Sequence, residues 1–167
     1  MTHPIWQLKV NKTDDDAALI LTPCPGTKGV SLRDSLMQLK EQGAEAIVTA
    51  LTMDEMVSKD VQQLEEVSRS LAMKWFHLPI EDDRAPESDF ATKWNAVSSE
   101  LHAILDNNGK VVMHCMGGSG RTGLLAAHLL LEKGWEIDSI VNEVQALRPG
   151  AYTKPVQVEY LETLRDK

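Results

Sequence analysis

Val111-Val-Met-His-Cys-Met-Gly-Gly-Ser-Gly-Arg-Thr-Gly-Leu124 is the stretch whose reading decides the fold. Val111, Val112 and Met113 have the pattern of a short buried strand. Leu124 to Lys133 reads as an apolar helix that Gly134 stops. The segment between them therefore turns strand into helix. In open α/β sheets ligands gather at that carboxyl edge, and a helix start offers unpaired N–H groups with a partial positive charge. Met116, Gly117, Gly118, Ser119 and Gly120 separate Cys115 from Arg121, and three of these five are glycines, free to take backbone conformations closed to other residues. Such a loop can curl until successive N–H groups converge on one phosphate-sized anion. Arg121 then adds a planar clamp, and the same field favours the thiolate of Cys115 beneath the anion, a nucleophile. A free cysteine more often serves as a small buried apolar residue. The flanking His114 and Thr122, the glycines and the placement favour the nucleophile. Cys24 has Val30 six places on and reads as structural.

Outward from this segment, strands alternate with helices. Ile5–Val10 and Ala17–Leu21 read as two short strands joined by a hairpin turn at the acidic cluster Asp14, Asp15 and Asp16. Ser31 followed by Asp34 is a helix N-cap signal before Leu32, Leu36 and Leu39, with Gly43 as the stop. Ala46–Leu51 and Trp75–Leu78 are further strands. Val57, Val61, Leu64, Val67 and Leu71 mark a helical region between them. Pro79 to Ser88 is a loop with an acidic tip. Helices follow on Trp94–Leu105, Ile137–Leu147 and about Pro155–Leu164. The pattern predicts a three-layer α/β/α domain around a mostly parallel central sheet. Trp75 and Trp94 fall on apolar faces and are expected in the core.

The chain's 167 residues suit one domain, 1–167, and the 43% hydrophobic and 25% charged shares are ordinary for a globular protein. A net charge of −8 leaves no basic footprint for a nucleic-acid backbone, so nucleic acid is not an expected partner. The apolar runs are too short for a membrane span, and Met1–Val10 carries no secretory pattern, which points to the cytoplasm and to free thiols. Gly118-Ser-Gly-Arg-Thr-Gly123 also matches the dinucleotide fingerprint. That fingerprint needs a further strand ending in an acidic residue about 20 positions on, where this chain is helical in period. A Walker-type loop fails because no Lys-Ser or Lys-Thr pair follows the glycines.

The run His114 to Thr122 resembles the His-Cys-x5-Arg-Thr/Ser signature of the cysteine-dependent protein phosphatases, and its place two-thirds along a short chain resembles the dual-specificity subgroup. The chain is further similar to the cyclin-dependent-kinase-associated phosphatase family in the turn Pro25-Gly26, the helix ending Lys-Glu-Gln-Gly43, the loop Pro79-Ile-Glu-Asp82, and Gln157 with Tyr160-Leu161. The resemblance implies a phosphotyrosine-phosphatase-like fold and two-step hydrolysis of phosphotyrosine, with phosphoserine and phosphothreonine as further substrates. Cys115 would form a phosphocysteine, Arg121 and the amides of 116–120 would hold the phosphate, and Thr122 would hydrogen-bond the sulfur. No metal or other cofactor is implied. Glu81, Asp82 and Asp83 are the candidate general acids. The resemblance places the role on Asp82, whereas relatives with Asp-Asp-Gly-Ala-Pro in this loop favour Asp83. His114 is expected to orient the loop. Gln157 matches a position that helps place water, or else is an exposed helix glutamine. Ser119 and Gly123 depart from the common pattern, so rim specificity does not transfer. The implied partner is a phosphorylated protein, with a kinase among the candidates. Alternatives are a phosphopeptide-binding module and a phosphatase of lipid, nucleotide or RNA phosphates; the loop interior lacks the lysines that meet extra phosphates.

Overall fold

The computed structural model describes residues 2–11 and 15–165. Five strands form one sheet: β1 (Trp6–Lys9), β2 (Ala18–Thr22), β3 (Ala44–Thr49), β4 (Lys74–His77) and β5 (Lys110–His114), in the order β1-β2-β5-β3-β4. β1 pairs antiparallel with β2, and every other pairing is parallel. Lys12 to Asp14, including the first residue of the expected acidic turn, lie outside the described residues, but the two strands on either side pair as a hairpin requires.

Alternation along the strands divides the core. Leu19, Leu21, Val48, Val111 and Met113 point to one face, covered by α4 (Phe90–Asp106), α5 (Gly120–Glu132), α6 (Ile137–Leu147) and α7 (Pro155–Arg165). Ile20, Ile47 and Val112 point to the other, covered by α1 (Leu32–Glu41), α2 (Met53–Ser58) and α3 (Leu64–Ser70). This is the expected three-layer α/β/α architecture, with β5 at its centre, and Trp94 is buried at 3% exposure against the first layer. Trp75, half-buried, packs on the second. No described helix is long and apolar enough to cross a membrane.

Local signals set the ends of the elements. Ser31 Oγ accepts the Asp34 N–H and starts α1, and Gly43, at φ +101°, follows its end. Two expectations are corrected. The helical region expected through Val57–Leu71 is two helices. Asp60 adopts φ +57°, and the Asp60 and Val61 N–H groups turn back to the carbonyls of Val57 and Met56, closing α2 before α3 begins. The helix expected from Leu124 opens at Gly120, with the Gly123 N–H bonded to the Ser119 carbonyl at 2.8 Å. Arg121, Thr122 and Gly123 are buried in its first turn, where packing outweighs the weak helix propensity of the sequence.

Candidate active site

β5 ends at His114, between the parallel strands β2 and β3, and residues 115–119 join it to α5. Cys115 is buried at this junction, 3% exposed. Its Sγ accepts the Gly118 N–H at 3.3 Å and the Thr122 hydroxyl at 3.1 Å. Arg148, just beyond α6, fixes the curl from outside: Nη2 donates to the Gly117 carbonyl at 2.8 Å and Nε to that of Gly118 at 3.1 Å. In a trans peptide the C=O and N–H point opposite ways, so pulling the Gly117 carbonyl outward turns the Gly118 N–H inward to the sulfur. The Arg148 guanidinium lies 3.8 Å from the centre of the Trp6 ring, which holds it in place. Gly118 itself sits at φ +81°, and a Cβ there would stand 2.6 Å from the Thr22 carbonyl carbon, so only glycine fits against the end of β2.

Arg121 is the buried charge of the site, its side chain 3% exposed. Nη1 and Nη2 bind the two oxygens of Glu55 at 2.7 and 2.9 Å, and Nη1 also donates to the Ile80 carbonyl at 2.9 Å. A guanidinium has five N–H groups. Three are used here, leaving Nε–H and the outer Nη2–H side by side on one edge, the fork that suits two phosphate oxygens. Burial raises the Glu55 carboxyl, but the hydrogen bonds from Arg121 and Thr52 outweigh it and hold Glu55 below its ordinary carboxylate range. Glu55 also forms a capping box with Thr52 at the start of α2, which fixes its position.

Asp82 Oδ1 lies 3.6 Å from Arg121 Nη2 and accepts the Asp83 N–H at 3.0 Å. Asp82 lines an open cavity of about 250 Å³ together with Cys115, Met116, Gly117, Ser119, Gly120, Arg121, Gly150, Lys154 and Gln157. Asp83 turns aside to pair with Lys154, and Glu81 faces a neighbouring cavity. Gln157 is not an exposed helix residue: it is buried at 2% exposure, and its amide nitrogen would lie 2.6 Å from a Cβ on Gly120. His114 is fully buried below the loop, with Nε2 2.7 Å from Thr49 Oγ1 and Nδ1 3.1 Å from the Cys115 carbonyl oxygen. Cys24 is buried beside the loop, its N–H bonded to the Met116 carbonyl at 3.0 Å, and burial pushes its thiol up to about 12.

The structure thus gathers Cys115, Met116, Gly117, Ser119, Gly120, Arg121, Asp82 and Gln157 at one cavity, with Gly118 and Thr122 bonded to the Cys115 sulfur behind it. Sequence reasoning missed Glu55 and Arg148. Thr52-Met-Asp-Glu55 carries a visible capping-box signal, though nothing in it names Arg121 as a partner. For Arg148 no local signal exists.

Residues 25–135 match the family described as "Polymorphic toxin system, DSP-PTPase phosphatase". Cyclin-dependent kinase inhibitor 3 of Rattus norvegicus is 31% identical over 96% of this chain and 77% of its own length. Protein tyrosine phosphatase type IVA 3 of Bos taurus is 28% identical over 82% of this chain and 73% of its own. The crystal structure of kinase associated phosphatase with its catalytic-site cysteine changed to serine superposes with a TM-score of 0.86 at 26% identity, covering 99% of this chain and 96% of that one. The cradle around Cys115 stands on the fold of a phosphatase, in a chain alike along most of its length to cysteine phosphatases; it belongs to the DSP-PTPase family of protein tyrosine and dual-specificity phosphatases.

Proposed function

We propose that the chain hydrolyses phosphotyrosine in proteins, with phosphoserine and phosphothreonine as further substrates, through a phosphocysteine at Cys115. In the first step Cys115 Sγ attacks phosphorus in line with the leaving oxygen. Asp82 protonates that oxygen as the P–O bond breaks. The free edge of Arg121 and the loop amides not turned to the sulfur hold the equatorial oxygens. In the second step a water placed by Gln157 and deprotonated by Asp82 attacks phosphorus, and the Thr122 hydroxyl stabilises the departing sulfur. One observation carries this reading: Cys115 Sγ accepts bonds from both Gly118 N and Thr122 Oγ1 beside the forked edge of Arg121.

The loop interior holds no lysine, which suits a single phosphate on a protein side chain. A kinase is the proposed partner, on the strength of the kinase-related names of the relatives. Two free cysteines suit a reducing compartment such as the cytoplasm, and a thiol nucleophile needs one. The activity is assigned to one domain over 1–167, because one sheet carries both core layers.

The test is hydrolysis of p-nitrophenyl phosphate and of phosphopeptides by the wild type, Cys115→Ser and Asp82→Ala. Cys115→Ser should be inactive, and Asp82→Ala should lose ~10²–10⁴-fold on substrates with strongly basic leaving groups. Equal turnover by wild type and Cys115→Ser would sink the proposal.

A further inference from the structure

The acid loop is tied across the mouth of the cavity at a second point that the hydrolytic steps do not use. Glu81 to Arg84 form a tight turn, closed by the Arg84 N–H on the Glu81 carbonyl at 3.2 Å, with Asp83 at φ +60° at its tip. That conformation points the Asp83 carboxylate away from Asp82 and onto the Lys154 ammonium. Lys154 stands directly before α7, the helix that brings Gln157 to the cavity, and it lines the cavity itself. The Asp83 N–H meanwhile donates to Asp82 Oδ1, so the residue that grips Lys154 also holds the Asp82 carboxylate.

We infer that the Asp83–Lys154 ion pair is a strap that closes the acid loop over the bound phosphate, with both residues acting as positioning residues for Asp82. The inference rests on Asp82 being the general acid. Lys154 and Asp83 touch neither phosphorus nor sulfur; they set how often the Asp82 carboxyl lies over the leaving oxygen. Their side chains are 49% and 65% exposed, so the pair is worth what exposed pairs are worth and is screened by salt. The strap is therefore light enough to open for product release.

The experiment measures kcat on phenyl phosphate, whose leaving group is strongly basic and needs a proton, against p-nitrophenyl phosphate, whose leaving group departs readily as the anion. The variants are Lys154→Met, Lys154→Arg, Asp83→Asn, the double variant Asp83→Asn with Lys154→Met, and Asp82→Ala. Asparagine tolerates the left-handed backbone at 83, so the loop keeps its turn. Lys154→Met and Asp83→Asn should each lower kcat on phenyl phosphate by about two- to fivefold, and by less on p-nitrophenyl phosphate. The double variant should be no worse than either single one, and Lys154→Arg should restore the rate. Raised salt should lower the wild-type kcat on phenyl phosphate toward the Lys154→Met value. Equal losses on both substrates, or additive losses in the double variant, overturn the strap. If Asp82→Ala falls selectively on phenyl phosphate while the Lys154 and Asp83 variants do not, the strap alone is wrong. If Asp82→Ala shows no selectivity, the assignment of the acid fails and takes the strap with it.

Discussion

Acid should destabilise this protein through His114. The imidazole is fully buried, and its two nitrogens lie against Thr49 Oγ1 and the Cys115 carbonyl, while Thr49 Oγ1 also accepts the Trp75 indole N–H at 2.9 Å. A carbonyl only accepts, so Nδ1 carries the proton. Thr49 Oγ1 receives one bond from Trp75 and gives its own proton to Nε2. The chain is complete with a neutral ring, and a second proton on Nε2 would drive the Thr49 hydroxyl hydrogen out of its bond. Burial therefore lowers the His114 pKa from the ordinary 6.5 to about 4, with the nearby His3, Arg121 and His77 adding to the effect and the Cys115 carbonyl opposing it.

Between those values the unfolded chain binds a proton that the folded one refuses. The contribution to stability is whole above pH 6.5 and is lost as the pH falls toward 4. The gap corresponds to about 3 kcal/mol, a large share of the ~5–15 kcal/mol that typically holds a domain folded. Urea unfolding followed by tryptophan fluorescence, repeated from pH about 7.5 to about 4.5, measures it. His114→Asn should be less stable at neutral pH and lose less stability on acidification, the difference in slope being the share of His114. His3, also buried and held below its ordinary pKa chiefly by that burial, is present in both proteins and contributes to both slopes. Parallel losses in the two proteins, or an imidazole resonance of His114 that titrates near 6.5, would refute the reasoning.

Glu55→Gln should leave the buried Arg121 without its counter-charge, lowering stability by about 1–2 kcal/mol in urea titrations, a value discounted because the Glu55 side chain is a quarter exposed. The same change should lower kcat/KM about tenfold as the guanidinium edge loses its aim, and an unchanged kcat/KM would show that Arg121 needs no support. Gly118→Ala should cost ~2–4 kcal/mol, because a positive φ and a backbone collision at Thr22 act together. Gly117→Ala is the control, since a Cβ there meets nothing within 4 Å, and its stability should move by under about 0.5 kcal/mol. Equal unfolding midpoints for the two alanine variants would contradict the account of Gly118.

What the sequence made legible was whatever is encoded locally. The run from Val111 to Leu124 carries strand, turn and helix within fourteen positions, and the N-cap of α1 needs only Ser31 and Asp34. The break between α2 and α3 was hidden because Asp60, not a glycine, takes the left-handed turn. The early start of α5 was hidden because Gly120, Thr122 and Gly123 are poor helix formers that tertiary packing forces into line. Glu55 and Arg148 lie 66 and 31 positions from the groups they hold, Arg121 and Gly117. Pairings across such separations arise from the topology of the sheet. Asp82 and Asp83 are neighbours in sequence with the same chemistry, and the backbone turn at Asp83 sends their carboxylates to different partners.

Cys115 belongs to the core layer beneath α4 to α7, whereas Met116 packs against the layer beneath α1 to α3. Two successive residues of the loop are thus moored on opposite sides of the sheet, and the Met116 carbonyl is bonded to Cys24 besides. A segment anchored this way has no private route to melting, because it cannot leave its place without disturbing both layers. The phosphate cradle is therefore as long-lived as the fold itself, and the fast motions that catalysis requires are left to the exposed acid loop.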